Sequence, residues 1–217
     1  MTAVELLQFA RGPALWASAA VLLAGGLWRV LGILRLGAKP DLSEPRSTRL
    51  LSGAMRGIFA RMVPRVEFRL RKKLGFWNGY VYHVGLAVIV FGYLPHIHFV
   101  ERLTGLAWPP LPDPVVYVCV GLTFVSLFIA LMERLTDPVR RLLSGFDDYF
   151  SWAVVVLPLA TGMIAIQQSD QLPLAIHLMS VELLFLWLPF GKLAHAFLVF
   201  ASRGVTGAAL ARKGAPL

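Results

Sequence analysis

Five histidines, His83, His96, His98, His177 and His195, are the residues of this 217-residue chain best suited to chemistry. Imidazole binds haem iron and other metals. All five lie in or at the ends of two apolar stretches, where an ionisable side chain is costly and marks function. His177 and His195 are eighteen residues apart. On an unbroken helix that is five full turns, so both point the same way, roughly 27 Å apart along the axis. One then sits near each face of a membrane. On the other stretch, running antiparallel, His83 falls level with His195, and His96 and His98 fall level with His177. Two axial histidines per iron, supplied by facing helices, is the geometry of bis-His b-type haem. Two such haems would pass electrons from face to face. Helix counting puts His98 about 60° and His96 about 140° from the direction of His83. That favours His98, but Pro95 lies before both and can shift the phase, so both stay candidates. A lone membrane histidine can instead be an interhelical hydrogen-bonding group. Zinc fits less well, because its ligands must meet within about 2.1 Å of one point.

The elements that must position these side chains are membrane helices. Hydrophobic residues make up 57% of the chain and charged residues 15%, against about 25% charged in soluble domains. A soluble domain this apolar lacks the polar groups to cover its surface. A bilayer core about 30 Å thick needs roughly 20 apolar helical residues. Five stretches qualify, about 13–34, 77–99, 114–132, 149–167 and 172–200. Glu5 and Arg11 before the first run, with Arg29 and Arg35 after it, are unlike a cleaved signal peptide. The single Cys119 excludes a disulfide framework, a four-cysteine iron–sulfur cluster and a CxxCH haem attachment.

The net charge of +9 has a sidedness. Twelve of the 21 basic residues fall in 29–73, three more between spans three and four, and four at or beyond the far end of span five. Only Arg11 and Arg102 fall on the other side. The positive-inside rule then places the N-terminus outside and the C-terminus in the cytoplasm. The expected fold is an all-α integral membrane protein of five transmembrane helices, a single domain over 1–217, with a basic amphipathic cytoplasmic loop over 35–76. Nucleic acid is not needed to explain the charge. Within that loop, Leu50/Leu51, Ala54/Met55, Ile58/Phe59 and Met62 recur with helical period. Ser47 or Thr48 is placed to cap this helix and Pro64 to end it. It is read as an interfacial helix held by anionic lipid or as a docking helix for a cytoplasmic partner.

The histidine contexts resemble the gamma, cytochrome b, subunit of respiratory nitrate reductase, and more closely the related subunits of sulfite-reductase-associated and heterodisulfide-reductase-like membrane complexes. Tyr82-His83-Val84-Gly85 is similar to the family's helix-two motif. Leu188-Pro189-Phe190-Gly191-Lys192-Leu193-Ala194-His195, with His177 eighteen before, is similar to its helix-five motif. In one departure, Tyr93 stands where nitrate reductase has a second helix-two histidine, so either the outer ligand has moved to His96 or His98 or the outer haem is absent. The Leu94-Pro95-His96 segment is similar to the sulfur-complex branch, which places His96 slightly ahead of His98. The resemblance implies two haem b groups, an inner one on His83 and His195 and an outer one on His177 and His96, with His98 as alternate. It implies Lys192 as a propionate partner, where a snorkelling anchor is the plainer role. It also implies quinone as substrate, a cytoplasmic iron–sulfur subunit, and the inner membrane of a prokaryote. The terminal substrate belongs to other subunits.

Other polar residues have structural readings beside functional ones. Glu182 is either a proton relay or an interhelical hydrogen-bonding group. Asp147 and Asp148 cap the fourth span or meet a basic partner. Gly85 and Gly92 serve close packing or admit a flat haem. Trp77, Trp108, Trp152 and Trp187 fit an interfacial belt. The rival functions are a haem-free proton-coupled transporter and a non-redox anchor.

Overall fold

The computed structural model describes residues 2–35, 42–60, 62–63, 73–167 and 170–215. Arg61 and Pro64, the latter expected to end the loop helix, lie outside the described residues. The described residues form helices α1 (Ala3–Arg35), α2 (Leu50–Ala60), α3 (Lys73–Gly92), α4 (Leu94–Thr104), α5 (Asp113–Thr136), α6 (Pro138–Leu142), α7 (Phe146–Gln167), α8 (Gln171–Trp187) and α9 (His195–Arg212). Five helical stretches are long and apolar enough to cross a membrane: Ala3–Arg35, Leu74–Gly92, Asp113–Thr136, Phe146–Ile166 and Lys192–Arg212. The chain is thus an all-helical, multi-pass membrane protein in its long elements. Many large apolar side chains on these helices point outward, among them Leu23, Trp28, Val118 and Leu122, as a lipid-facing surface requires.

Prolines divide or bend these helices in different ways. Pro13, expected near the start of the first span, lies inside α1, in a π-helical turn over Ala10–Ala14. The wider turn accommodates a residue that lacks N–H and crowds the preceding turn. The helix starts earlier, at a capping box in which the Thr2 hydroxyl accepts from Glu5 N and Glu5 accepts from Thr2 N. The second stretch, expected over 77–99, divides at Tyr93, whose backbone is extended (φ −83°, ψ 127°). The fifth, expected over 172–200, divides after Trp187. Gly191 is extended there (φ −88°, ψ −173°), and a 3-10 turn, Lys192–Ala194, leads into α9. Helix α8 is 17 residues long and apolar apart from Gln171, His177, Ser180 and Glu182.

The chain forms two compact units, residues 1–66 with 164–217, and residues 67–163. In the second unit α3 and α5 run antiparallel. Asn78 pairs with Ser126 near one end of α3, Gly85 meets Thr123 midway, and Gly92 at the other end meets Leu111, just before α5. The amide of Asn78 donates to Ser126 O (2.9 Å), and the Ser126 hydroxyl lies 2.6 Å from Asn78 Oδ1. Buried Ile89, Val116, Val120, Leu127, Val156 and Leu159 join α3, α5 and α7 in one core. Trp152 of α7 donates its indole N–H to Leu127 O (2.8 Å). At the polar end Arg134 bonds buried Asp148 (2.8 Å), which also accepts from Gly145 N. Asp148 therefore both caps α7 and anchors an ion pair, a partner its sequence position does not reveal.

In the first unit α1 and α8 run parallel. Helix α8 packs against the start of α1, yet a Cβ on Gly25, near its far end, would lie 2.8 Å from Pro189, just past α8. The buried positions keep step: Ala175, Glu182 and Pro189 recur every seven residues, as do Ser18 and Gly25 on α1. Helix α2, expected over about 47–62, forms over Leu50–Ala60 with the Ser47 hydroxyl accepting from Arg49 N (3.1 Å). It packs antiparallel on α9, with Gly53 against Ala211 and Gly207, and Gly57 against Gly207 and Arg203.

Candidate functional site

His83 stands on α3, its ring exposed, with Nδ1 donating to Gly79 O at 2.7 Å, one turn back. A carbonyl oxygen only accepts, so Nδ1 carries the proton and Nε2 carries the metal-binding lone pair. His195 opens α9 and repeats the arrangement, with Nδ1 donating to Lys192 O at 2.8 Å. Both rings are thus held in one tautomer by a backbone carbonyl, as metal-ligating imidazoles usually are. The Lys192 side chain is exposed in the short turn just before His195.

His96 reaches back further. Its Nδ1 donates to Ile89 O at 2.9 Å, seven residues away, and its ring stands edge-on to Tyr93. The break at Tyr93 accounts for this. Ending α3 strands the last carbonyls of the helix, and Pro95 has no N–H for Phe91 O. Three donors fill those positions: His96 Nδ1 on Ile89 O, Trp108 Nε1 on Phe91 O (2.6 Å), and Leu111 N on Gly92 O (2.9 Å). His96 is therefore also a helix cap. Trp108, expected as part of an interfacial belt, has the same second task. The proline at position 95 is the sequence signal that some such donor was required.

His98 differs from the others. Its Nδ1 pairs with Glu101 Oε2 at 3.1 Å, and both side chains are about half exposed (54% and 47%). Counting helix phase from His83 to His98 does not survive the break at Tyr93, because the two lie on different helices.

His177 is half-buried on α8, and its carbonyl accepts from the Ser180 hydroxyl at 2.6 Å. Five residues on, Glu182 lies about 140° around the helix, on the seam with α1, 6% exposed, with no partner for Oε1 among the described residues. The break between Trp187 and His195 overturns one expectation: the eighteen-residue spacing does not put His177 and His195 on one face of one helix. Pro189 removes a backbone donor, and Gly191 takes an extended conformation.

His83, His96 and His98 thus share one unit, and His177 and His195 the other. Among the described residues no group of three or more His, Cys, Asp or Glu side chains is placed to hold a metal ion. Gly85 and Gly92 are occupied by packing, against Thr123 and Leu111.

A curated protein of Nitratidesulfovibrio vulgaris (strain Hildenborough), described only as "Protein", is 31% identical to this chain over 211 residues. The match covers 92% of this chain and 91% of the relative. No family model matches the chain, and no solved structure matches it.

Proposed function

The chain belongs to a family shared with the Nitratidesulfovibrio vulgaris protein, and we propose that it is a di-haem b membrane subunit moving electrons between the quinone pool and a cytoplasmic iron–sulfur partner. One observation carries the reading. His83, His96 and His195, on apolar helices or at their ends, each donate Nδ1–H to a backbone carbonyl, which fixes the tautomer that offers Nε2 to iron. The donor set fits haem, which takes two imidazoles, better than it fits a four-ligand zinc site. The motif resemblance to nitrate-reductase-gamma-like cytochromes around His83 and His195 points the same way.

In this proposal His83 and His195 hold an inner haem, and His177 with His96 an outer one. His98 stays the alternate: its Nδ1 is engaged by Glu101 as the other rings are by carbonyls, and only the Leu94-Pro95-His96 resemblance puts His96 ahead. Lys192 is the cation for an inner propionate. Haem held there supplies one-electron transfer between the membrane faces. Quinol oxidised at the outer face releases its protons there. The one cysteine cannot hold a cluster, so the iron–sulfur centres belong to a partner.

The topology offered is N-terminus out and C-terminus in, in the inner membrane of a prokaryote, with the 17-residue α8 as the fifth crossing and Lys192–Arg212, also long and apolar enough to cross, kept on the cytoplasmic side. The parallel run of α1 and α8 supports it, because three crossings between them return the chain to the same direction. The test is the absorption spectrum of the purified full-length protein, made in cells that supply haem. Soret and α bands that shift on reduction and respond to a quinol analogue are expected. A colourless, folded protein contradicts the proposal and favours a transporter or an anchor.

A further inference from the structure

Helix α2 has two faces, and among the described residues one of them is covered, by α9. Gly53 and Gly57 let it approach α9 until backbone meets backbone: a Cβ on Gly57 would lie 2.6 Å from Arg203 O and 2.7 Å from Gly207 Cα. Ala54 and Ile58 face the same helix: a Cβ on Gly204 would lie 4.0 Å and 3.7 Å from them. That contact fixes the rotation of α2 about its axis, and hence what it presents outward.

The uncovered arc carries Leu51, Met55 and Phe59, stacked at i, i+4 and i+8 and exposed at 78%, 47% and 58%. Beside them, about 60–160° further round, stand Arg56 and Arg49, also exposed. The occupant of this face must accept three large apolar side chains along one edge and guanidinium groups along the other. Residues 42–60 and 195–215 together hold six Arg and Lys against one acidic residue, Glu44, so the occupant is anionic. It also lies next to the membrane. Helix α9 starts beside the last turns of α1, with Phe197 3.8 Å from where a Cβ on Gly26 would be. Between the end of α1 at Arg35 and Leu42 there are six residues, spanning at most about 25 Å. Helix α2, at 11 residues, is about 16 Å long and too short to cross a bilayer.

We propose that the outward face of α2 binds the anionic phospholipid surface of the membrane. Leu51, Met55 and Phe59 enter the boundary between headgroups and acyl chains. Arg49 and Arg56 pair with headgroup phosphates. In the topology proposed above, where α8 and not Lys192–Arg212 makes the fifth crossing, the glycine contact with α9 makes α2 a fixed float that holds the α9 segment at the membrane surface. This inference does not depend on haem, and a colourless protein would leave it standing.

The test uses the full chain in lipid nanodiscs, with Cys119→Ala and a bimane label at Phe59→Cys, and separately at Leu51→Cys in case position 59 disturbs the helix. The quenchers are a lipid nitroxide near the headgroup and aqueous iodide. Lipid quenching is expected in discs containing phosphatidylglycerol, weaker in phosphatidylcholine alone. Arg49→Glu and Arg56→Glu should each reduce attachment by about fivefold or more. Iodide quenching without lipid quenching at both positions overturns the proposal. So does lipid quenching that ignores both lipid charge and the arginines. Shielding from both quenchers only at two chains per disc would assign the face to a second copy and overturn it as well.

Discussion

Replacing Gly57 with valine should loosen α2 from α9. A Cβ there falls 2.6–2.7 Å from Arg203 O and Gly207 Cα, and neither backbone atom can rotate aside. Ordinary contact begins near 3.4 Å, so the two helices must part by roughly 1 Å. A gap of that size forfeits about a quarter to a half of each dispersion contact along the pair. Overpacking of this kind costs about 1–3 kcal/mol, and the small helix-propensity gain of valine over glycine offsets only a few tenths of that. A net loss of about 2 kcal/mol raises local opening about thirtyfold. Amide hydrogen exchange over residues 50–60, read by mass spectrometry in nanodiscs, should rise by that factor while α3 and α5 stay as they were. Gly204→Ala is the control on the same helix pair, because its Cβ would meet Ile58 at an ordinary 3.7 Å. It should leave exchange unchanged or slower. Equal exchange in wild type and Gly57→Val, or equal acceleration by Gly204→Ala, would refute the close-contact reasoning.

Further substitutions test three other contacts. In a double-mutant cycle Asn78→Ala and Ser126→Ala should couple by about 1 kcal/mol in unfolding of the detergent-solubilised protein; a coupling of zero would mean the buried pair adds nothing. Trp108→Phe keeps the ring but strands Phe91 O, and should lower stability by about 1–2 kcal/mol, read as a lower midpoint in the same unfolding assay; no change would mean that another donor fills the position. Asp148→Ala removes both the acceptor for Gly145 N and the Arg134 partner, and should lower stability by about 1–3 kcal/mol. If Asp148→Asn is as harmful as Asp148→Ala, charge rather than capping dominates.

Membrane helices were legible in the sequence because apolar length alone encodes them. Their breaks were not, because four prolines have three different outcomes here. Pro13 is absorbed by a π turn and Pro158 by the interior of α7, whereas Pro95 and Pro189 sit at true breaks. What separates these cases is tertiary. Ending α3 at Gly92 is tolerable because His96, Trp108 and Leu111 supply donors to its last carbonyls, and two of those donors come from a loop more than fifteen residues away. The misread at His177 and His195 has the same origin, since helix counting assumes a helix that Gly191 interrupts. The amphipathic period of 47–62 revealed α2, but not that its glycine face meets Gly207, some 150 residues on. The histidines themselves were visible as side chains out of place in apolar sequence. The carbonyls that the His83, His96 and His195 rings bond were not visible, because they depend on how the helices turn and break.

Haem per chain, measured in wild type and in His83→Ala, His96→Ala, His98→Ala, His177→Ala and His195→Ala, tests the proposed function most directly. Two haems in wild type are expected. One should be lost with either His83 or His195, the other with either His177 or His96, and neither with His98. Retention of both haems in His195→Ala would contradict the assignment at its centre.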